Sequence, residues 1–129
     1  MSSEHQDQAQ IVTWLKAAGL WDKYGIFSVP NGIPLPGSQK ARSRIINYMK
    51  REGMRPGVAD MVFPVARGGY FGMYLEMKRK TGGELSEEQR RFIGIVEMNG
   101  YFTAVPNGYD DAMRIIEDYL SWPETKVLR

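Results

Sequence analysis

Glu76 and Lys78 stand two residues apart in the run Phe71-Gly-Met-Tyr-Leu-Glu-Met-Lys78, where Phe71, Met73, Leu75 and Met77 alternate with Tyr74, Glu76 and Lys78. A two-residue period is that of a strand, so the acid and the lysine share a face, roughly 6.6 Å apart along it, and the opposite face is apolar. Asp60 opens the preceding apolar run, Met61 to Val65, and Arg67-Gly-Gly69 between the runs signals a hairpin that can bring Asp60 beside Glu76. Two carboxylates that close repel unless a cation lies between them, and hard oxygen ligands with open water positions favour Mg²⁺ or Mn²⁺. Beside an ammonium, such an ion has the parts for phosphodiester hydrolysis: a water made nucleophilic at neutral pH and positive charge for the non-bridging oxygens. Lys78 can orient or deprotonate that water, or offset charge on the phosphorane, and spacing does not separate these roles. Alone, Glu-x-Lys on a solvent-facing strand reads equally well as an exposed pair worth about 0 to 1 kcal/mol.

Other chemistries are closed by composition. There is no cysteine, hence no disulfide, thiolate zinc site or cysteine nucleophile, and the only histidine is His5, which leaves no Ser-His-Asp triad and no multi-histidine nuclease site. The polar start of the chain and the lack of a long apolar run point to a soluble, cytoplasmic protein that is neither secreted nor membrane-bound. At 129 residues with 43% hydrophobic content, one domain is expected, its core at about residues 4–120 and its tail at 121–129. The net charge of +2 is unevenly spread: Lys40, Arg42, Arg44, Lys50, Arg51 and Arg55 face the single acid Glu52, so residues 40–55 carry +5 and the rest −3. A local basic surface of this kind suits nucleic-acid phosphates, or is the solvated face of an amphipathic helix.

The elements that would hold the site follow from periodicity and punctuation. Residues 4–18 read as a helix with Ile11, Val12 and Leu15 on one face and Gly19 as its stop. Ile26 to Val29 is a short strand ended by Pro30, and residues 31–37 form a turn-rich loop. Ser38 then caps a helix to about Glu52, with Lys40, Arg44, Asn47 and Arg51 on its basic face and Ala41, Ile45 and Met49 inward. After the hairpin, Ser86-Glu-Glu-Gln89 is a capping box that opens a helix with Phe92, Ile95 and Val96 inward. Tyr101 to Val105 is a last strand, and Asp110 to Leu120 a last helix with Ala112, Ile115, Ile116 and Tyr119 inward. The tail from Pro123 is expected to be frayed. The class is α/β with a mixed sheet.

Four segments, Val29-Pro-Asn-Gly32, Gly57-Val-Ala-Asp60, Tyr74-Leu-Glu-Met-Lys-Arg79 and Leu85-Ser-Glu-Glu-Gln89, in this order and spacing, resemble the VRR-NUC family of virus-type replication-repair nucleases, a branch of the PD-(D/E)XK superfamily. The similarity runs over about residues 4–120. It implies a restriction-endonuclease-like αβββαβ core, with the basic helix as an insertion after the first strand. It further implies that Asp60 and Glu76 bind one or two Mg²⁺ or Mn²⁺ ions, that the Met77 backbone carbonyl adds a ligand, and that Lys78 is the catalytic lysine. Glu4 matches the family's additional acid, binding metal directly or through water, although a glutamate there also suits the helix macrodipole. Gln89 matches the family's glutamine while also completing the capping box. Where the superfamily has proline before the aspartate this chain has Ala59, which costs stiffness but no ligand. Asn31 lines the site or is an ordinary turn residue.

Stand-alone members of phage and bacterial type imply a structure-specific endonuclease acting on branched DNA, four-way junctions ahead of flaps. A junction has two scissile strands related by approximate two-fold symmetry, so a one-site chain is expected to be a homodimer, with Trp21 and Trp122 as candidate exposed aromatics. A helicase or replication partner would leave no signature here. The alternatives are a non-catalytic DNA-binding module of the same fold and a sequence-specific restriction-type enzyme.

Overall fold

The computed structural model describes residues 3–30 and 34–128. The chain runs α1 (Glu4–Ala17), α2 (Leu20–Tyr24), β1 (Phe27–Ser28), α3 (Gln39–Arg51), β2 (Met61–Phe63), β3 (Met73–Leu75), α4 (Glu87–Met98), β4 (Phe102–Ala104) and α5 (Tyr109–Ser121). Helix α1 starts where Ser3 and Gln6 exchange side-chain to backbone bonds, a capping box that the sequence pattern did not single out. The unexpected α2 is a single turn between Gly19 and Gly25, both with positive φ, and is too short to show periodicity.

The four strands lie in the order β1-β2-β3-β4, antiparallel except for the parallel β3/β4 pair. The strands are shorter than the apolar runs that announced them: β2 stops before Pro64, which has no N–H for the ladder, and β3 begins only at Met73. One sheet face carries Met61, Phe63, Met73 and Leu75, all fully buried against Ile11 and Leu15 of α1 and Ala112, Ile116 and Tyr119 of α5. Burying each of the larger of these side chains is worth roughly 1.5 to 3 kcal/mol. Tyr119 is tied in further, its hydroxyl donating to the Val65 carbonyl at 2.7 Å. The other face is half covered. Helix α4 packs there through Phe92, whose ring meets Tyr74 edge-on at 5.3 Å, while Phe27 of β1, opposite Val62, remains 48% exposed.

Several expectations are corrected. Phe71, read as part of the apolar face, is 55% exposed because the strand has not yet begun and its ring lies over Gly100 and Tyr101. Ile95 is also exposed, leaving Val96 and Phe92 as the inward side of α4. On α3 the capping Ser38 is as expected, but no residue of this helix is buried: Ala41, Ile45 and Met49 are only half covered. The tail expected to fray is bonded to the hairpin loop, with Gly68 N–H donating to Pro123 O at 2.7 Å and Thr125 Oγ1 bridging Gly69 N and Tyr70 O. Trp122, offered as an exposed aromatic, instead packs among Tyr70, Phe102 and Tyr119, and Trp21 is half-buried under Lys16.

Candidate active site

The hairpin register brings the two acids together. Met61 faces Leu75, so the next pair along is Asp60 and Glu76. There the ladder is replaced by a side chain: Met77 N–H donates to Asp60 Oδ2 at 2.8 Å, which fixes the aspartate against the end of β3. On the other edge, Glu76 N–H donates to Ala104 O and Lys78 N–H to Pro106 O, so the residues after β3 stay straight beside β4. Glu76 and Lys78 therefore share a face, as the alternation requires. Both are buried, at 5% and 7% exposure, which removes the reading of a solvated surface pair.

The loop that delivers Asp60 is held by a close approach. Gly57 has φ +84°, and a Cβ there would lie 2.5 Å from the backbone carbon of Glu88, so only glycine lets this loop rest on the first turn of α4. That turn contains Gln89. Its Oε1 accepts from Ser86 N–H at 2.8 Å, closing the capping box, and from Lys78 Nζ at 3.1 Å. One oxygen thus serves both the capping box and Lys78. Lys78 Nζ also lies 3.7 Å from Glu76 Oε2, suspended between the acid and the amide.

The carboxylates are poorly compensated. Glu76 Oε1 is buried without a hydrogen-bond partner, and the neighbouring Asp60 carboxylate has no proton to offer when ionised. Burial, the hydrogen-bonding contact with Asp60 and the charge of Asp60 push the Glu76 carboxyl up to about 9. Lys78 pulls it back, and Glu4 raises it further. Glu4, half-buried in the first turn of α1, is thus close enough to be felt electrostatically at Glu76. An orphaned, buried carboxylate oxygen among acids suits a hard divalent cation, and Asp60 and Glu76 are the side chains that could hold one. Among the described residues no three His, Cys, Asp or Glu side chains already form a ready shell. Glu4 and the Met77 carbonyl would complete one only together with water and substrate oxygens.

The remaining expected residues fall outside this cluster. Lys40, Arg42, Arg44, Lys50, Arg51 and Arg55 are exposed on and just beyond α3, and Asn31 lies outside the described residues. Asp7 was missed. It is 5% exposed and lines a cleft of about 440 Å³ with Gln10, Lys80 and the start of α5. Its signal was available, since Asp7 is one turn from Glu4 and one turn from the buried Ile11.

The sequence model of the VRR-NUC domain family matches residues 4–110, a span that includes Glu4, Asp60, Glu76, Lys78 and Gln89. A solved structure described as a VRR_NUC domain protein superposes with a TM-score of 0.80 at 23% identity, over 97% of this chain and 93% of that one. No curated protein matches significantly. The structural likeness carries the fold, including α5 beyond the matched span, and the sequence match carries the family: the chain belongs to the VRR-NUC domain family, nucleases of the PD-(D/E)XK type that act on DNA.

Proposed function

We propose that this protein is a divalent-metal-dependent endonuclease that cuts branched DNA, four-way junctions ahead of flaps, as a homodimer. The observation that carries the reading is the buried Glu76 beside a half-buried Asp60, with Glu76 Oε1 unpartnered and Lys78 Nζ 3.7 Å from Glu76 Oε2. Held by Asp60 and Glu76, with Glu4 and the Met77 carbonyl as further oxygen donors, Mg²⁺ or Mn²⁺ would supply Lewis acidity at the scissile phosphate. The chain's own groups do the rest. The Met77 N–H holds Asp60 in place without a proton transfer. Lys78 Nζ, anchored on Gln89 Oε1, presents its ammonium beside the carboxylates, where it can donate to the attacking water or to a non-bridging phosphate oxygen. The buried setting around Glu76 and Lys78 strengthens each of these charge interactions.

The exposed basic residues of α3, with Arg55, are placed to contact phosphates, which positions DNA without reading sequence. That favours choice by shape over a restriction-type mode. Homodimerisation rests on the two scissile strands of a junction, one per site. The test compares wild type with Asp60→Asn on end-labelled junction, flap and linear duplex, with and without Mg²⁺. Wild type should cut the junction fastest and only with metal, and the variant should bind but not cut. Binding without any cutting by wild type would make the chain a DNA-binding module, and a single cut motif in linear duplex would make it restriction-type.

A further inference from the structure

On the half-covered sheet face, the row Phe27, Val62 and Tyr74 runs across three strands, since Phe27 pairs with Val62 and Val62 with Tyr74. With Met49, Met54 and Phe92 it lines a groove of about 450 Å³, mostly apolar and open to solvent. Phe27 and Met54 are 48% and 37% exposed, unusual for large apolar side chains within one hollow. The groove reaches the candidate active site: Ala59, which precedes Asp60, is in its wall, and Tyr74 is two residues before Glu76 on the same strand run. Arg55 is also in its lining, and the groove shares Arg55 and Phe92 with a second hollow that holds Glu88 and Arg91. Helix α3, which contributes Met49 to the lining, carries five basic residues and no acid.

We propose that this groove receives one unstacked base of the DNA strand being cut, next to the scissile phosphate. The occupant follows from the surroundings. A polyanion is drawn to a rim where Arg55 lines the groove and the basic helix α3 adjoins it through Met49, whereas a second copy of the chain would bring another helix of five positive charges to the same place. Within the rim, aromatic rings offer a stacking surface that every base can use, and the tyrosine hydroxyl offers one hydrogen bond. Extruding a base costs least where stacking is already broken, as at a branch point, so the groove supplies a physical reason for junctions to be chosen over uninterrupted duplex. The inference rests on the nuclease reading and adds a second contact that the metal site does not provide.

The test uses a four-way junction with 2-aminopurine at single positions on either side of the cleaved bond, bound to wild-type protein in EDTA so that nothing is cut. Fluorescence should change at one position and not at its neighbours. An abasic site at that position should weaken wild-type binding by about 5- to 150-fold, the range set by base-aromatic stacking. The same abasic site should cost the doubly substituted Phe27→Ala, Met54→Ala protein little, both side chains being exposed enough for the variant to fold. Equal responses at every position, with the abasic site costing both proteins alike, would overturn the proposal. So would light scattering in which the double variant loses a dimer while the fluorescence is unchanged, since the groove would then face a second copy. Cleavage of the unmodified junction in Mg²⁺ is scored separately: its absence refutes the nuclease reading whatever the fluorescence does.

Discussion

Replacing Glu76 by glutamine should make the metal-free protein more stable while abolishing cleavage. The folded protein holds a proton on Glu76 up to about pH 9, whereas the unfolded chain releases it near the ordinary value of 4.5. Between those limits the native state binds one more proton than the unfolded state, so stability falls as pH rises, by up to about 1.4 kcal/mol per pH unit. The contribution is fully present below about pH 4.5, is down by roughly 3 kcal/mol at pH 7, and has been lost entirely once the pH passes about 9. Glutamine keeps the shape of the neutral acid and can donate to Asp60 as the protonated acid does. Glu76→Gln should therefore exceed wild type by up to about 3 kcal/mol at pH 7, a shift in urea midpoint of about 1 to 3 M. Urea titrations of both proteins from pH 5 to 9, with and without 10-fold steps of Mg²⁺, read this directly. Wild type should weaken with pH and recover with Mg²⁺, which takes the ionised carboxylate, and the variant should do neither. A wild-type profile flat between pH 5 and 9, with no gain in the variant, would refute the claim that an uncompensated acid is buried at this site.

Lys78→Met should reduce the cleavage rate by about 100-fold or more while leaving junction affinity nearly unchanged, measured by single-turnover kinetics beside a binding titration. Gln89→Ala removes two hydrogen bonds at one oxygen and should cost about 1 to 3 kcal/mol in denaturant unfolding along with activity, whereas Gln89→Glu, which retains the acceptor, should keep most of the stability. Gly57→Ala forces a side chain into left-handed backbone against Glu88 and should destabilise by roughly 1 to 3 kcal/mol, with Mg²⁺ affinity falling as Asp60 shifts. If the six basic residues of and beyond α3 contact phosphates, log affinity should fall against log salt with a slope of roughly −5, and each alanine substitution should reduce the slope by about 0.9; a slope near zero would remove α3 from the interface.

The site was more legible in the sequence than the sheet that holds it. Alternation from Met73 to Lys78 assigned the shared face of Glu76 and Lys78, and a hairpin was enough to put Asp60 opposite, because side-chain period and register are local properties. The depth of burial was not legible. It depends on β4 continuing beside the residues after β3 and on α4 arriving with Gln89, contacts separated by many residues. The same limit explains Phe71, which the alternation put on the apolar face although the strand starts two residues later and leaves its ring exposed. It also explains Trp122, which only the folded tail brings to Phe102 and Tyr119. For α3 the amphipathic pattern suggested a covered face, but a pattern records what a helix could bury and not whether a neighbour stands there.

That half-covered helix has an energetic consequence. Thirteen residues without a buried side chain are close to the length at which an isolated helix is marginal in water, so α3 takes little stability from the core and returns little to it. Its amides should exchange far faster than those of α1 or α5, and its helix content should rise when a polyanion settles on it. Substitutions on its exposed face should leave the unfolding free energy of the rest of the domain almost untouched, as denaturant titrations would read. The chain thus sets two levels of constraint: Glu76, Lys78 and Gln89 are locked together by burial and hydrogen bonds, while the basic residues of α3 stand on a helix that the core restrains little.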